Sequence, residues 1–380
     1  MSESPAPKPA APTFESGARA MNEALQTKGV EAYFADASDP LHKAFIAKAA
    51  VHSGPGGRPL IGEEAEKAID SHYDTPRSGR SLAYIHVPFC ETRCLYCMFY
   101  QNPWKEAATT EYAKQLVKEL ELWSDRAAQN AAPINALYFG GGTPTAFSPD
   151  DIRLVMGAVK KYLPLANDCE ITLEGRIHNF SDAKMDAAIE SGVNRFSLGV
   201  QTFNTQIRQS VMRVDDRDTI IRRLDKLCSY NNASVVCDMI YGFPGQTMEV
   251  WEDDLKTAAS LHLDGVDCYQ LNVFEKSPLA RYIANGKLPR AATSDEKADF
   301  FAKSVEYFTS QNWRRLSNNH WGRTIRERNI YNAWGKSACD CLAFGCGAGG
   351  RLAGYSYMME RKLADYYRLL GEGRKPVAFA

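Results

Sequence analysis

From about residue 81 the apolar and polar positions of this chain fall into a repeated strand-then-helix rhythm. Strand-like apolar stretches lie at Leu82–Val87, Ala136–Phe139, Cys169–Leu173, Arg195–Val200, Ser234–Ile240 and Val266–Leu271. Helical periodicity fills the spaces between them, for instance over Thr110–Trp123, Ser148–Tyr162 and Thr247–Leu261. Six βα units in succession predict a parallel sheet curved into a full or partial barrel. In such a fold the reactive groups sit on the loops at the strands' C-terminal ends. No repeat of 20–50 residues exists beyond this rhythm.

The pattern also marks what lies outside the barrel. Residues 1–12 are rich in Pro and Ala and bury too little to fold, which predicts a disordered tail. A helical preamble runs on to about residue 50, and Ser53-Gly-Pro-Gly-Gly-Arg-Pro59 reads as a linker. The expected organisation is therefore a tail (1–12), a helical extension with its linker (13–80), the barrel (81–275) and a C-terminal region (276–380).

At 380 residues the chain is long enough for a large core, and 45 Lys plus Arg nearly cancel 46 Asp plus Glu. No global field advertises nucleic acid or a lipid surface. There is no run of 18 or more apolar residues, nor a basic segment followed by an apolar one at the start, so the expected location is cytoplasmic. Ten cysteines are too few for a disulfide scaffold. Cys169, Cys228, Cys237 and Cys268 lie in or beside apolar stretches and read as small buried hydrophobes.

Three other cysteines change the picture. Cys90, Cys94 and Cys97 stand at C-x3-C-x2-C spacing directly after the first strand. Three thiolates on one short loop can hold three irons of a cubane cluster and leave the fourth iron open for a substrate. A zinc site would want a fourth protein ligand, and an electron-transfer cluster a fourth cysteine at ferredoxin spacing. The loop contains neither.

This loop, with the aromatic Tyr96 before its last cysteine, resembles the signature of the radical S-adenosylmethionine (SAM) enzymes. The resemblance implies a [4Fe-4S] cluster whose open iron chelates the amino and carboxylate groups of SAM, and whose electron splits SAM to a 5′-deoxyadenosyl radical. Gly140-Gly-Gly-Thr143-Pro144, after the second strand, does not fit a phosphate loop and is similar to the glycine element of that family. Glu174, Gln201, Arg213 and Asp238 ring the strand ends, where a cofactor with amino, carboxylate and ribose groups needs donors and acceptors.

A closer resemblance is to the branch containing oxygen-independent coproporphyrinogen oxidases and heme chaperones, over roughly residues 82–365. Its carriers are Tyr84-Ile-His-Val-Pro-Phe-Cys90, Gly-Gly-Gly-Thr-Pro-Thr145, Ser197-Leu-Gly-Val-Gln-Thr-Phe-Asn204, Asp238-Met-Ile-Tyr-Gly-Phe-Pro-Gly-Gln-Thr247 and Phe344-Gly-Cys-Gly-Ala-Gly349. It implies a radical SAM partial (β/α)6 barrel of α/β class, with an N-terminal helical extension and small C-terminal α/β elements. It also implies two SAM molecules, the first held by Tyr84, Gly141, Glu174 and Gly349. The second would be held by Gly142, Thr143, Gln201, Arg213, Asp238 and Asn272.

Within the branch, Cys90-Glu-Thr-Arg-Cys-Leu-Tyr-Cys-Met-Phe-Tyr-Gln-Asn102, Leu173-Glu-Gly-Arg176 and Asn319-His-Trp-Gly-Arg-Thr-Ile-Arg-Glu-Arg-Asn-Ile-Tyr-Asn332 resemble the anaerobic heme-degrading methyltransferases of the anaerobilin synthase type. Coproporphyrinogen oxidases usually carry Gly-Cys after the last cluster cysteine and Asp-Pro after the strand-three glutamate. Here those places hold Met98-Phe99 and Gly175-Arg176. The implied activity is transfer of a methyl group from SAM to heme, with macrocycle opening and iron release. One SAM is the radical source and the other the methyl donor. The alternatives are radical decarboxylation of coproporphyrinogen III and non-catalytic heme carriage. The implied partners are heme and a low-potential electron donor such as a flavodoxin or flavin reductase, with no nucleic acid or membrane.

Heme is a flat apolar ring with anionic propionates, so its pocket should pair aromatics with arginines. His320, Arg323 and Arg326 lie in a stretch offering both, with His320 a candidate axial ligand or else a satisfied structural histidine beside Trp321. Arg176 and His178 follow Glu174 and are further substrate-binding candidates. Cys339, Cys341 and Cys346 form a second group of thiols, read as buried or proton-donating rather than as a second cluster. Region 276–380 would cover the substrate, and the end at Phe379-Ala380 suggests that it is shortened relative to the resemblance.

Overall fold

The computed structural model describes residue 39, residues 57–337 and residues 339–380. The predicted tail and most of the helical extension lie outside these residues. Of the region before the barrel, the described part holds the helix Glu63–Asp70, which buries Ala65 and Ile69.

All six predicted strands form, each within a few residues of its expected bounds. They are β1 (Ser81–Val87), β4 (Ile134–Gly141), β5 (Leu165–Gly175), β6 (Arg195–Gln201), β7 (Ser234–Tyr241) and β8 (Gly265–Gln270). Two-residue strands β2 (Phe89–Cys90) and β3 (Asn102–Pro103) brace the cysteine loop. The C-terminal part adds β9 (Arg314–Arg315), β10 (His320–Gly322), β11 (Asp340–Phe344), β12 (Gly349–Leu352), β13 (Tyr355–Met359) and β14 (Val377–Phe379). The sheet runs β14-β13-β12-β11-β1-β4-β5-β6-β7-β8-β10-β9.

Strands β11, β1, β4, β5, β6, β7 and β8 run parallel, and the outer strands on both sides are antiparallel. Thus β11, far along the sequence, enters beside β1 as a seventh parallel strand.

Helices start where side chains cap them. Ser148 and Asp151 make a reciprocal capping box at Pro149–Tyr162, and Thr247 caps Met248–Ser260 by accepting from the Val250 amide. Both predicted helices therefore begin one residue later than the periodicity alone suggests.

Alternation along each strand sorts two environments. Ala83, Ile85 and Val87 of β1, Phe196, Leu198 and Val200 of β6, and Val235, Cys237 and Met239 of β7 point outward into one core. Tyr84, Tyr138, Glu174, Ser197, Asp238 and Asp267 occupy the alternate positions and line a polar interior. Tyr138 on β4 lies within electrostatic reach of the Tyr269 hydroxyl on β8. A flat sheet would place those strands about 19 Å apart. The sheet is therefore curled around this interior.

A smaller apolar cluster, Leu95, Ile207, Val211, Phe243, Leu271 and Leu279, lies at the C-terminal rim and seats the cysteine loop. Of the four cysteines expected in the core, Cys169, Cys237 and Cys268 are buried and Cys228 is half-buried.

Candidate active site at the C-terminal rim of the barrel

The cysteine loop begins at the end of β1 and is fastened on two sides. The Leu95 amide donates to the Val211 carbonyl at 3.3 Å, and the Leu279 amide donates to the Leu95 carbonyl at 3.0 Å. All three thiols are free, and each accepts at least one hydrogen bond. Thr143 Oγ1 donates to Cys90 Sγ at 3.3 Å, Arg176 Nη2 to Cys94 Sγ at 3.1 Å, and the Phe99 amide to Cys97 Sγ at 3.4 Å.

Burial pushes the Cys90 and Cys97 thiols up, although Thr143 and the Phe99 amide pull back. At Cys94 burial also opposes ionisation, but Arg213 and Arg176 overcome it and the thiol is held below its ordinary value.

Among the described residues, no three His, Cys, Asp or Glu side chains converge on a single-ion position. A cubane does not require such convergence, because each of its irons takes its own thiolate. Three free thiols on one loop, each with its own donor and backed by buried guanidinium groups, fit a [4Fe-4S] cluster.

Around the loop the strand ends form a close-fitting cradle. At Gly141, where φ is +113°, a Cβ would stand 2.6 Å from the His86 ring; at Gly142 it would stand 2.6 Å from the Phe89 carbonyl oxygen. Gln201 sits at φ +75° where the β6–β7 register shifts. Its Oε1 is buried without a partner, as is that of Gln101. Two orphan acceptors at one rim suit a ligand rich in N–H and O–H groups, which is what SAM offers.

Arg213 donates from Nε to the Tyr96 hydroxyl at 3.2 Å and from Nη2 to the Gly199 carbonyl at 2.9 Å. Ser197 Oγ donates to both oxygens of Asp238, at 3.1 and 3.3 Å. Burial and neighbouring Asp238 push Glu174 up to about 8. Burial and Asp267 raise Asp238 as well. Asn272 lies just past β8, half-buried, and Gly349 opens β12 beside the turn that follows β11. Tyr84, Gly141, Gly142, Thr143, Glu174, Gln201, Arg213, Asp238, Asn272 and Gly349 thus all fall at or just inside one rim.

The substrate candidates fare differently. Arg176 is at the rim, but its guanidinium is committed to Thr92 Oγ1 (2.7 Å) and Cys94 Sγ, so it serves the thiolate loop. His178 holds Asp215 through Nδ1 at 3.0 Å and approaches Glu91 through Nε2 at 3.4 Å, clasping two rim loops together.

His320 is corrected as an axial ligand. It is fully buried, with Nδ1 2.7 Å from Asp267 and Nε2 3.1 Å from Glu327, so neither nitrogen is free for iron. Burial alone would lower its pKa, but the two carboxylates raise it to about 9. The structural alternative for this histidine is the one the fold adopts.

Arg323 and Arg326 are corrected too. The Arg323 amide and the Arg326 side chain bind Asp264, at the start of β8, and Arg326 also binds Asn231, ahead of β7. They lie at the opposite pole, roughly 15 Å of strand away from the rim. The antiparallel return of β10 against β8 carries them there.

His86 near the rim and Tyr331 at the floor of the interior escaped the sequence reading as site residues. His86 is buried, its pKa lowered to about 4 by burial and Arg361, so it is a neutral imidazole. It contacts the Tyr84 hydroxyl at 3.0 Å and Gln101 at 3.3 Å. The signal that finds it is its place two residues after Tyr84 on the same strand face. Tyr331 stacks on Tyr138 at 4.7 Å and on Tyr84 at 6.1 Å, flooring the cavity. Cys341 and Cys346 are deprotonated only with difficulty, burial pushing each up to about 12. Cys339 meets the Ser337 hydroxyl.

Comparison with known proteins agrees with this geometry. The model of the radical SAM superfamily matches residues 84–258. Anaerobilin synthase of Escherichia coli O157:H7 is 42% identical over 323 residues, 85% of this chain and 72% of the relative. The heme chaperone HemW of Synechocystis sp. is 28% identical over 299 residues, 76% of this chain and 70% of that protein. Among solved structures, coproporphyrinogen III oxidase (HemN) from Escherichia coli, described as a radical SAM enzyme, superposes with a TM-score of 0.71 at 22% identity. That match covers 84% of this chain and 75% of the other, and shares the fold.

Proposed function

The chain belongs to the radical SAM superfamily, and from that premise we propose that it is a heme-degrading radical SAM methyltransferase of the anaerobilin synthase type. It would methylate heme, open the macrocycle and release iron and a linear tetrapyrrole. The observation that carries this reading is the 42% identity to anaerobilin synthase over 85% of the chain. The rim supports it, because its loops carry exposed apolar side chains of the kind a flat ring needs. Met98 and Phe99 follow the last cysteine, Met212 and Val214 flank Arg213, and Tyr269 and Val273 end the β8 side. Met98-Phe99 also stands where coproporphyrinogen oxidases carry Gly-Cys, which favours heme breakdown over decarboxylation.

When bound, the cluster and SAM supply reductive cleavage of SAM to a deoxyadenosyl radical. Cys90, Cys94 and Cys97 would hold the cluster. Tyr84, Gly141, Glu174 and Gly349 would hold one SAM, and Gly142, Thr143, Gln201, Arg213, Asp238 and Asn272 a second. The orphan acceptor of Gln201 and the buried guanidinium of Arg213 support a polar ligand beside the first. His86, neutral and pinned between Tyr84 and Gln101, orients the hydroxyl of Tyr84 without adding charge. The electron would come from a low-potential donor such as a flavodoxin or flavin reductase. Among the described residues no helix is long and apolar enough to cross a membrane.

The test is SAM turnover by anaerobically reconstituted protein with a low-potential reductant. Heme should stimulate formation of both 5′-deoxyadenosine and S-adenosylhomocysteine. Deoxyadenosine without S-adenosylhomocysteine at any heme concentration would overturn the methyl-transfer assignment.

A further inference from the structure

Beneath the rim runs a line of buried ionisable groups that the proposed cofactor sites do not use. At the N-terminal end of the barrel a small pocket is lined by Glu170, Arg195, Ser234, Arg326 and Arg328 among others. Ser234 Oγ donates to Glu327 Oε2 at 2.6 Å. Glu327 Oε1 stands 3.1 Å from His320 Nε2, and His320 Nδ1 stands 2.7 Å from Asp267 Oδ2. Asp267 is the direct β-ladder neighbour of Asp238, the carboxyl at the rim. From Ser234 to Asp267 no member of this line exceeds 3% exposure. The other groups facing it are Arg195, bonded to Glu327; Asn319, bonded to Asp267; and Ser197 and Glu174 beside Asp238.

We propose that Ser234, Glu327, His320 and Asp267 form a proton relay that carries protons from the floor pocket of the barrel to Asp238 at the active-site rim. This inference rests on the heme-opening reading, which creates the demand. Each pyrrolide nitrogen that gives up its bond to Fe(II) keeps the electron pair and takes up one proton, so no oxidant or reductant enters that exchange. With ring and cofactors over the rim, that face is shut to water, and the floor is the remaining entrance.

Each cycle moves one proton, and with it one positive charge, from the pocket to Asp238. His320, protonated on both nitrogens at rest, passes its Nδ1 proton to Asp267; the neutral ring then turns over in place, and the vacated nitrogen takes a proton that Glu327 receives from the pocket through Ser234. Asp267 then hands the proton to Asp238. Arg195 keeps Glu327 in place throughout and carries no proton itself. These residues act through Asp238 and are positioning and relay residues.

The direct test is isotope exchange, not turnover. In the full-length protein with its cluster reconstituted and kept oxidised, and with SAM and heme bound so that the rim is covered, the infrared band of the Asp238 carboxyl is identified by its loss in D238N. Its shift is then followed after transfer to heavy water. The relay predicts exchange at least tenfold slower in His320→Gln than in the native protein, and at least threefold slower in Ser234→Ala. Equal exchange rates in the native protein and the variants would overturn it, and Ser234→Ala decides the matter if His320→Gln does not fold. Iron release from heme should slow in the same order while deoxyadenosine formation is kept. If the native enzyme releases no iron at all, the heme reading fails, and the exchange rates still judge the relay.

Discussion

Replacing His320 by glutamine should destabilise the protein in a strongly pH-dependent way. The imidazole is fully buried between Asp267 and Glu327, and those carboxylates lift its pKa from the ordinary 6.5 to about 9 despite the opposing effect of burial. At about 1.4 kcal/mol per tenfold, that rise corresponds to about 3 kcal/mol of stabilisation by the protonated ring. The sign follows from a folded pKa raised above the unfolded one. The contribution is complete below pH 6.5, and it is lost as pH rises through about 9. Depression of Glu327 to about 2 reflects the same contacts, together with Arg195, and is not added again. Glutamine keeps a donor and most of the volume but not the charge. The assay is urea unfolding of native and variant protein under anaerobic conditions between pH 6 and pH 10. The difference in unfolding free energy should be about 3 kcal/mol at pH 6 and shrink toward pH 10. Taking the difference removes most of the slope of the same sign that Glu174 imposes on both proteins, since a carboxyl held protonated in the fold up to about 8 also loses stability as pH rises toward that value. A pH-independent difference, or one that grows with pH, would refute the buried imidazolium and with it the reason given for excluding His320 as an iron ligand.

Cys94→Ala should abolish cluster iron and deoxyadenosine formation together, measured by iron content and product analysis, because a thiolate ligand is lost. Arg176→Met should keep the cluster but lower its reduction potential, read by spectroelectrochemistry, since a cationic donor 3.1 Å from Cys94 Sγ disappears. Gly141→Ala would drive a Cβ to 2.6 Å from the His86 ring at φ +113°. Strain of about 1–3 kcal/mol should weaken SAM binding about tenfold or more in equilibrium titration. Lys375→Met leaves the Glu119 carboxylate, which also accepts from the Gly345 amide and Tyr366 hydroxyl, buried without its cation. A loss of about 3–5 kcal/mol is expected in denaturant unfolding, with most of it recovered by adding Glu119→Gln.

Much of the barrel was legible because its physics is local. Strands such as Arg195–Gln201 and Ser234–Tyr241 declare themselves by apolar runs between helical periods, and rim residues declare themselves by ending those runs. What was hidden depends on distant pairings. Strand β11 is only five residues, Asp340–Phe344, and nothing local says that it pairs with β1. His320, Arg323 and Arg326 looked like a heme pocket because aromatics and arginines are close in sequence. Sequence proximity does not reveal which pole of a barrel a segment reaches, and the antiparallel β10 takes this one downward. Arg176 was correctly placed at the rim, but a side chain's partner across 82 positions, here Cys94, is decided by folding rather than spacing.

The most direct measurement of the central claim is the mass of the tetrapyrrole that leaves an anaerobic reaction of reconstituted protein with heme, SAM and a low-potential reductant. The account predicts an open tetrapyrrole that has gained a methyl group and lost iron. Unchanged heme recovered while deoxyadenosine accumulates on an intact cluster would contradict it.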